Sequence, residues 1–276
     1  MATAAYLDYG ELLRFAGATF HEERDVRFVT SPGVKLISTS QPTPEFACAM
    51  DPEHDDSDSD WSVRSGEFKA RLCYMAFPET VSFGARDEDQ AKSYVRAVCL
   101  NRGHLSVWNA WYAEFLICGI SVETMIELLA HTEAKTSRMT TSKTAAQLHP
   151  SYRLSGTEAQ MGAMKEIVLR WVDTRKAEGR RGLTMEQSNM LNPGIKCGAL
   201  TFCMSLKDYA RFLRGRTCVE GNETEVREVA LEMLRQLNTS YPAIFSELAE
   251  ERGVTKERGG TREGDCEGAC GVGESS

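Results

Sequence analysis

No stretch of this 276-residue chain approaches the roughly 20 consecutive apolar residues that carry a helix across a bilayer. Its N-terminus also lacks the basic-then-apolar pattern of a signal peptide, so the expected location is the cytoplasm, away from membranes. Basic residues are outnumbered, with 32 Lys and Arg against 40 Asp and Glu and a net charge of −8. Binding along a nucleic acid polymer rests on neutralised phosphates and is not expected. No CxxC pair has a matching partner among the nine cysteines, which argues against both a disulfide framework and a metal site. Cys48, Cys73, Cys99 and Cys118 stand in apolar or mixed runs, where a free thiol packs as a small hydrophobe. There is no GxGxxG, Walker loop, HExxH or nucleophile elbow, and no internal repeat. Redox or transfer chemistry would therefore need a cofactor held by something less generic.

What is present is an ordinary globular composition, 42% hydrophobic and 26% charged. The expected organisation is a single domain over 1–251, interrupted by an exposed acidic loop at 51–60, with a disordered tail over 252–276. The first thirty residues hold a helical pattern with Tyr6, Leu7, Leu12, Leu13 and Phe15 on its apolar face. A strand over 34–39 ends at Gln41-Pro-Thr-Pro44, whose second proline opens a short helix. Helices are expected over 65–74, 87–100 and 122–130, the last capped by Ser121. Others fall at 155–176, 184–190, 206–213 and 223–237. The helix over 155–176 carries an apolar stripe of Met161, Met164, Ile167, Val168 and Trp171. Strands are expected over 106–117 and 195–204. The fold class is α+β, with helices dominating.

Three groups of residues could carry chemistry. His104 follows Gly103 where a strand is expected to begin, with Ser106 and Asn109 just beyond as short polar groups for phosphate or ribose. His131 ends an apolar helical turn and precedes a loop with Lys135, Thr136, Ser137, Arg138, Thr140, Thr141, Ser142 and Lys143. Cations and hydroxyls together suit a phosphate, although the same loop reads equally well as a solvated Ser/Thr stretch. Arg211, Arg214 and Arg216 lie near a helix end, with Gly215 as the expected C-cap and Arg216 projecting from the turn. A guanidinium fork there suits a base carbonyl or a phosphate, while Arg211 or Arg214 also complements the helix dipole.

Together these segments resemble the flavin-dependent thymidylate synthases. That family has a Gly-His-x-Ser/Thr segment, matched by Gly103, His104 and Ser106, and a helix ending in Arg-His-Arg, whose central residue falls on His131. Its following Ser-x-Arg-Tyr falls on Thr140-Thr141-Ser142-Lys143. Pro193, Phe212, Leu213 and Arg216 fit a downstream Pro and Phe-Leu-x-x-Arg, and Glu225-Val226-Arg227 resembles the Glu-Ile-Arg of its last helix. The resemblance runs from about Val34 to Phe245. Departures are equally plain: Ala130 and Thr132 replace the two arginines flanking His131, and Glu127 replaces a Gln that faces the pyrimidine. Asn189 stands where a substrate-binding Arg belongs, and Glu220-Gly221-Asn222 where the family has His-Ala-Gln.

The resemblance implies a central mixed β-sheet flanked by helices, in a homotetramer with sites between subunits. It implies FAD, NADPH and 5,10-methylenetetrahydrofolate, and methylation of a uracil nucleotide at C5. It places FAD with His104, Ser106, Asn109, His131, Thr132 and Arg211. It places the nucleotide with Glu127, Arg138, Thr140, Thr141, Ser142, Lys143 and Arg216, with Arg216 as the catalytic electrostatic group. So many altered substrate contacts resemble the relatives that methylate UMP in polyoxin-type nucleoside antibiotic biosynthesis. UMP is therefore expected over dUMP. The competing readings are an ordinary dUMP enzyme and a scaffold that has lost flavin.

Overall fold

A computed structural model describes residues 8–50, 61–74, 88–139, 150–179, 195–218 and 224–254. By packing, the chain divides into two compact units. One comprises 1–39, 112–204 and 224–229; the other comprises 40–111, 205–223 and 230–276.

The first unit begins with α1 (Tyr9–Ala16), closed by Gly17 in the left-handed conformation at φ 80°. A hairpin follows, β1 (Thr19–Glu23) and β2 (Val26–Ser31), paired antiparallel. Its two-residue turn, Arg24-Asp25, has positive φ at both positions, 52° and 63°, which matches the twist of a tight hairpin. β6 (Ser151–Arg153) joins β2 in parallel, making a mixed three-stranded sheet in the order β1-β2-β6. β3 (Gly33–Thr39), β4 (Tyr112–Ser121), β5 (Lys135–Arg138) and β7 (Cys197–Ser205) make a four-stranded sheet in the order β3-β4-β7-β5. Among the described residues the expected mixed β core flanked by helices is built of these two sheets, with an isolated bridge between Tyr152 and Lys196.

Two apolar clusters hold this unit. Leu13 and Ala16 of α1 pack with Val29, Cys118, Cys197 and Ala199. The Tyr9 hydroxyl donates to the Gly198 carbonyl at 2.8 Å and accepts from the Gly119 amide at 3.0 Å, satisfying two buried peptides. Gly119 is required there: its φ is +75°, and a Cβ would lie 2.9 Å from Val29 and 3.0 Å from Leu13. The second cluster sets Val168 and Val172 of α6 (Glu158–Gly179) against Val26, Phe28, Tyr152 and Leu154.

The expected helical faces need two corrections. Phe15 is 60% exposed and Ile167 is 65% exposed, because each lies outside the arc that its helix turns toward the sheet. The stripe on α6 is instead Met161, Met164, Val168, Trp171 and Val172.

The second unit is helical: α2 (Pro44–Met50), α3 (Trp61–Tyr74), α4 (Glu88–Val95), α7 (Leu206–Arg216), most of α8 (Thr224–Ser240) and α9 (Pro242–Glu251). α4 continues into a wider turn over Arg96–Leu100. The strand expected over 106–117 starts only at Tyr112; before it, Leu105–Trp108 forms a single tight helical turn. Burial of two tryptophans explains the difference. Trp108 is fully buried, close against Gly66 of α3, and Trp111 donates its indole N–H to the Ser65 hydroxyl at 2.7 Å. An extended strand would send alternate residues to opposite faces and could not bury both partners this way. Of the cysteines expected to be buried, Cys99 and Cys118 are, but Cys73 is exposed on α3. The expected helix over 184–190, the acidic loop 51–60, Cys266, Cys270 and the tail beyond 254 lie outside the described residues.

Candidate functional site

In the first unit the candidate residues follow α5 (Val122–Leu129) into β5. Ser121 caps the helix as expected, its hydroxyl accepting from the Thr124 amide at 3.1 Å. Met125 and Leu128 face the core, which leaves Glu127 half-buried on the flank. The helix ends at Leu129, so His131 lies just past the cap residue Ala130, not in the last turn. The His131 amide bonds to the Leu128 carbonyl at 3.3 Å, and its own carbonyl accepts from Ala134 at 3.1 Å. His131 is half-buried, while Ala130 and Thr132 on either side are exposed.

The loop expected after His131 is in part a strand. β5 pairs antiparallel with β7, Lys135 opposite Cys203 and Arg138 opposite Leu200. The helical turn closes within three residues, which leaves Lys135 to Arg138 free to continue the sheet at its edge. All four side chains are exposed. The Lys135 ammonium lies 5.1 Å over the Tyr112 ring. Burial, with Glu114 nearby, pushes the Cys203 thiol up, and Lys135 opposes that shift. Thr140, Thr141, Ser142 and Lys143, together with Asn189, Pro193, Glu220, Gly221 and Asn222, lie outside the described residues.

In the second unit the Gly-His segment and the arginine helix are brought together. Gly103 has φ +69°, and His104 begins the tight turn Leu105–Trp108 that packs against α7. The Leu206 amide donates to the Trp111 carbonyl at 2.7 Å, tying the start of α7 to the segment that follows the turn. His104 is half-buried; Ser106 and Asn109 are exposed. On α7, Tyr209, Phe212 and Leu213 are buried, which turns Arg211 outward. Arg214 faces Glu251 at 3.7 Å. Gly215 is not the C-cap: the helix runs through Arg216 and ends at Thr217, whose hydroxyl donates back to the Leu213 carbonyl at 2.6 Å. That side-chain bond closes the last turn where a left-handed glycine would otherwise do so. Arg216 is therefore a half-buried helical residue, not a turn residue.

Sequence reasoning did not anticipate a buried polar cluster at the head of α5. Arg153, 5% exposed, donates through Nε to Glu225 at 3.0 Å and through Nη2 to Glu228 at 2.6 Å. The Ser31 hydroxyl reaches the other Glu228 oxygen at 2.8 Å. The usable signal was the alternation Tyr152-Arg153-Leu154 after Pro150, a short strand carrying one buried cation.

Chemically, the first group offers a carboxylate acceptor, an imidazole and two exposed cations. The second offers an imidazole, a hydroxyl, a carboxamide and guanidinium groups. The second donor set suits a ligand with phosphate charge and polar ring edges.

A sequence description of the thymidylate synthase complementing protein family matches residues 61–243. No curated protein sequence matches the chain. Among solved structures it is similar to the UMP/dUMP methylase PolB of Streptomyces cacaoi bound with 5-Br UMP, at 13% identity and TM-score 0.58, over 82% of this chain and 97% of that one. It is similar also to thymidylate synthase X of Helicobacter pylori with FAD and dUMP, at 13% identity and TM-score 0.55, over 67% of this chain and 93% of that one. A second Helicobacter pylori structure with the same ligands gives TM-score 0.54. At such identities the likeness is one of fold. The family match spans most of the chain, including α5, α7 and the candidate residues on both, and the chain belongs to the thymidylate synthase complementing protein family, the flavin-dependent thymidylate synthases.

Proposed function

We propose that this protein methylates C5 of a uracil nucleotide, UMP in preference to dUMP, with methylenetetrahydrofolate as carbon donor and NADPH as reductant. The observation that carries this reading is the family match across 61–243, which spans Glu127, His131 and Arg216. The likeness in fold to a UMP/dUMP methylase over 97% of its length supports the choice of substrate class.

FAD fits the donor set present. Arg211, Ser106 and Asn109 are exposed polar groups on two elements in contact, able to meet a pyrophosphate and a ribose. His104 stands at the same segment, and the family resemblance assigns His131 and Thr132 to the cofactor as well. FAD, when bound, supplies the hydride that completes the methyl group. In the overall change a C5–carbon bond forms, the two C–N bonds that held the methylene to the folate break, and the C5 proton with one from solvent ends on the two folate nitrogens. Two electrons and a proton from NADPH reduce that carbon to methyl.

Arg216 offers a planar fork to the uracil carbonyls and stabilises charge that develops on them. Glu127, an acceptor where the family has an amide, would take the N3–H of the ring. Arg138, with Thr140, Thr141, Ser142 and Lys143, would hold the nucleotide phosphate in place of the family's arginine. Assembly as a homotetramer, with sites completed between copies, and a cytoplasmic location belong to the same reading. Among the described residues no helix is long and apolar enough to cross a membrane.

The visible absorption spectrum of the purified protein, repeated on the supernatant after heat release, tests the cofactor. A flavin spectrum followed by 5-methyl-UMP formation, faster than formation of the deoxy product, is the expected result. A colourless protein that takes up no added FAD would overturn the proposal in favour of a scaffold.

A further inference from the structure

Two helices of this chain begin with the same serine cap and are completed differently. At the head of α7, the Ser205 hydroxyl accepts from the Asp208 amide at 3.1 Å and donates to the Asp208 carboxylate at 2.5 Å. Serine and acid three residues on close the turn locally, as in a capping box. At the head of α5 the corresponding residue is Thr124, which has no carboxylate. The acid comes from far along the chain instead. Glu225, in the first turn of α8, accepts the Ser121 amide at 3.0 Å through Oε1. Its Oε2 accepts the Ser121 hydroxyl at 2.6 Å and the Thr124 hydroxyl at 2.7 Å. Arg153 adds a fourth bond to the same carboxylate and anchors it further through the Val29 and Leu154 carbonyls, at 3.3 and 3.0 Å.

This arrangement does what a local capping box does and one thing more. A negative group at a helix N-terminus is favourable, and this one stands at the start of both α5 and α8. It also fixes where α5 lies, because the helix can shift along its axis only by giving up three bonds to a residue held elsewhere. Beyond that clamp, Met125 and Leu128 face the core and the Val122 amide bonds to the Lys196 carbonyl at 3.1 Å, while Glu123, Ile126 and the cap residue Ala130 are exposed. The helix is about 12 Å long, so a displacement at Ser121 is carried rigidly to its far end. That end carries Glu127 and, just past it, His131.

We propose that Glu225 is a positioning residue that sets Glu127 and His131 through the head of α5, with Arg153 holding Glu225 in place. The functional half of this statement rests on the reading of α5 as the nucleotide-facing helix; the positional half does not.

Glu225→Gln and the milder Thr124→Val test it in the full-length protein, with hydrogen exchange and nucleotide kinetics read side by side. Both variants should raise amide exchange across 122–131, Glu225→Gln about tenfold and Thr124→Val about threefold, the double variant no more than the stronger single one, since they break one shared set of bonds. Exchange in 206–216, with its own local cap, should not change. The KM for UMP should rise about tenfold with kcat within about twofold, the pattern of a lost binding geometry. Unchanged exchange over 122–131 in both variants overturns the proposal. So does faster exchange with an unaltered KM, since Glu225 would then merely support the fold. If Glu225→Gln fails to fold, Thr124→Val, which removes one hydroxyl, carries both measurements. Wild-type protein that methylates no uracil nucleotide overturns the proposed function, while exchange still decides whether Glu225 holds α5.

Discussion

The Arg27 guanidinium grips Asp8 with two bonds, Nη1 at 3.1 Å and Nη2 at 2.6 Å, while its Nε reaches Glu22 at 2.7 Å. The Arg27 side chain is 4% exposed, and Asp8, ahead of α1, is 49% exposed. Asp8→Ala leaves the cation with Glu22 alone, and water reaching the site makes up part of the loss. The expected destabilisation is about 2 kcal/mol. The same pair decides the sign of Gly10→Ala. Alanine ordinarily favours a helix interior by roughly 1 kcal/mol. Here its Cβ would lie 2.9 Å from both Arg27 Cζ and Asp8 Oδ2, and three hydrogen bonds pin that guanidinium. Gly10→Ala should therefore destabilise. Urea titrations check both, and a stabilised Gly10→Ala would show that the ion pair yields easily.

What the sequence disclosed depended on how local each signal is. Ser121 was readable as a cap because hydroxyl and amide lie three residues apart. The Glu225 clamp was not, since Ser121 and Thr124 are over a hundred residues away, Arg153 is 72 away, and no short pattern marks them. The β1–β2 hairpin escaped notice because its turn uses Arg24-Asp25 in a conformation that normally advertises itself with Asn-Gly. Trp108 and Trp111 looked like strand residues by propensity, and their tertiary partners Gly66 and Ser65 overrode it. Of the candidate site, the His104 and Arg216 segments were singled out through family spacing, and the structure packs their elements together. The change of Lys135 to Arg138 from loop to edge strand was hidden, because Lys, Thr, Ser and Arg carry no apolar alternation.

Glu228 gives the protein a specific pH response. Burial raises its carboxyl above the ordinary value, against the lowering by Arg153 and the Ser31 hydroxyl, with Glu225 adding a further rise. A carboxyl with a folded pKa above its unfolded one binds its proton more tightly when folded. Its contribution to stability is present below the unfolded value, near 4.5, and is lost as pH climbs through the folded value. Glu228→Gln keeps an oxygen for Arg153 and does not titrate. The variant's stability should fall less than the wild type's as pH rises from about 4.5 toward neutrality. Parallel pH profiles for the two proteins would refute the assignment to Glu228.

The thiols should separate cleanly by reactivity. Burial pushes Cys99 up to about 11, with Cys73 adding to the rise, and Cys118 up to about 12. Cys197 is likewise pushed well above the ordinary thiol value, first by burial and then by Glu225. At pH 8 only about 0.1% of Cys99 would be thiolate, and Cys118 less. Cys73 is exposed on α3. Iodoacetamide on native protein, followed by peptide mass spectrometry, should label Cys73 while sparing Cys99, Cys118 and Cys197. Labelling of Cys118 at a rate comparable to Cys73 would mean that the α1 cluster opens readily.

Ala130 and Thr132 allow the flavin assignment to be tested by gain instead of loss. Both are exposed and flank the half-buried His131, at positions where the family carries arginines. New side chains there meet solvent and disturb no packed neighbour, so Ala130→Arg with Thr132→Arg should leave thermal stability within about 0.5 kcal/mol. If the turn after α5 faces the cofactor's phosphates, two guanidinium groups should tighten FAD binding about tenfold, through charge-assisted bonds that the present residues cannot make. The gain should shrink as salt is raised, because partly exposed charges are screened. Equilibrium dialysis of FAD at low and high salt reads both effects. Unaltered affinity at low salt would mean that this turn does not meet the phosphates, and would leave Arg211, Ser106 and Asn109 as the groups that must.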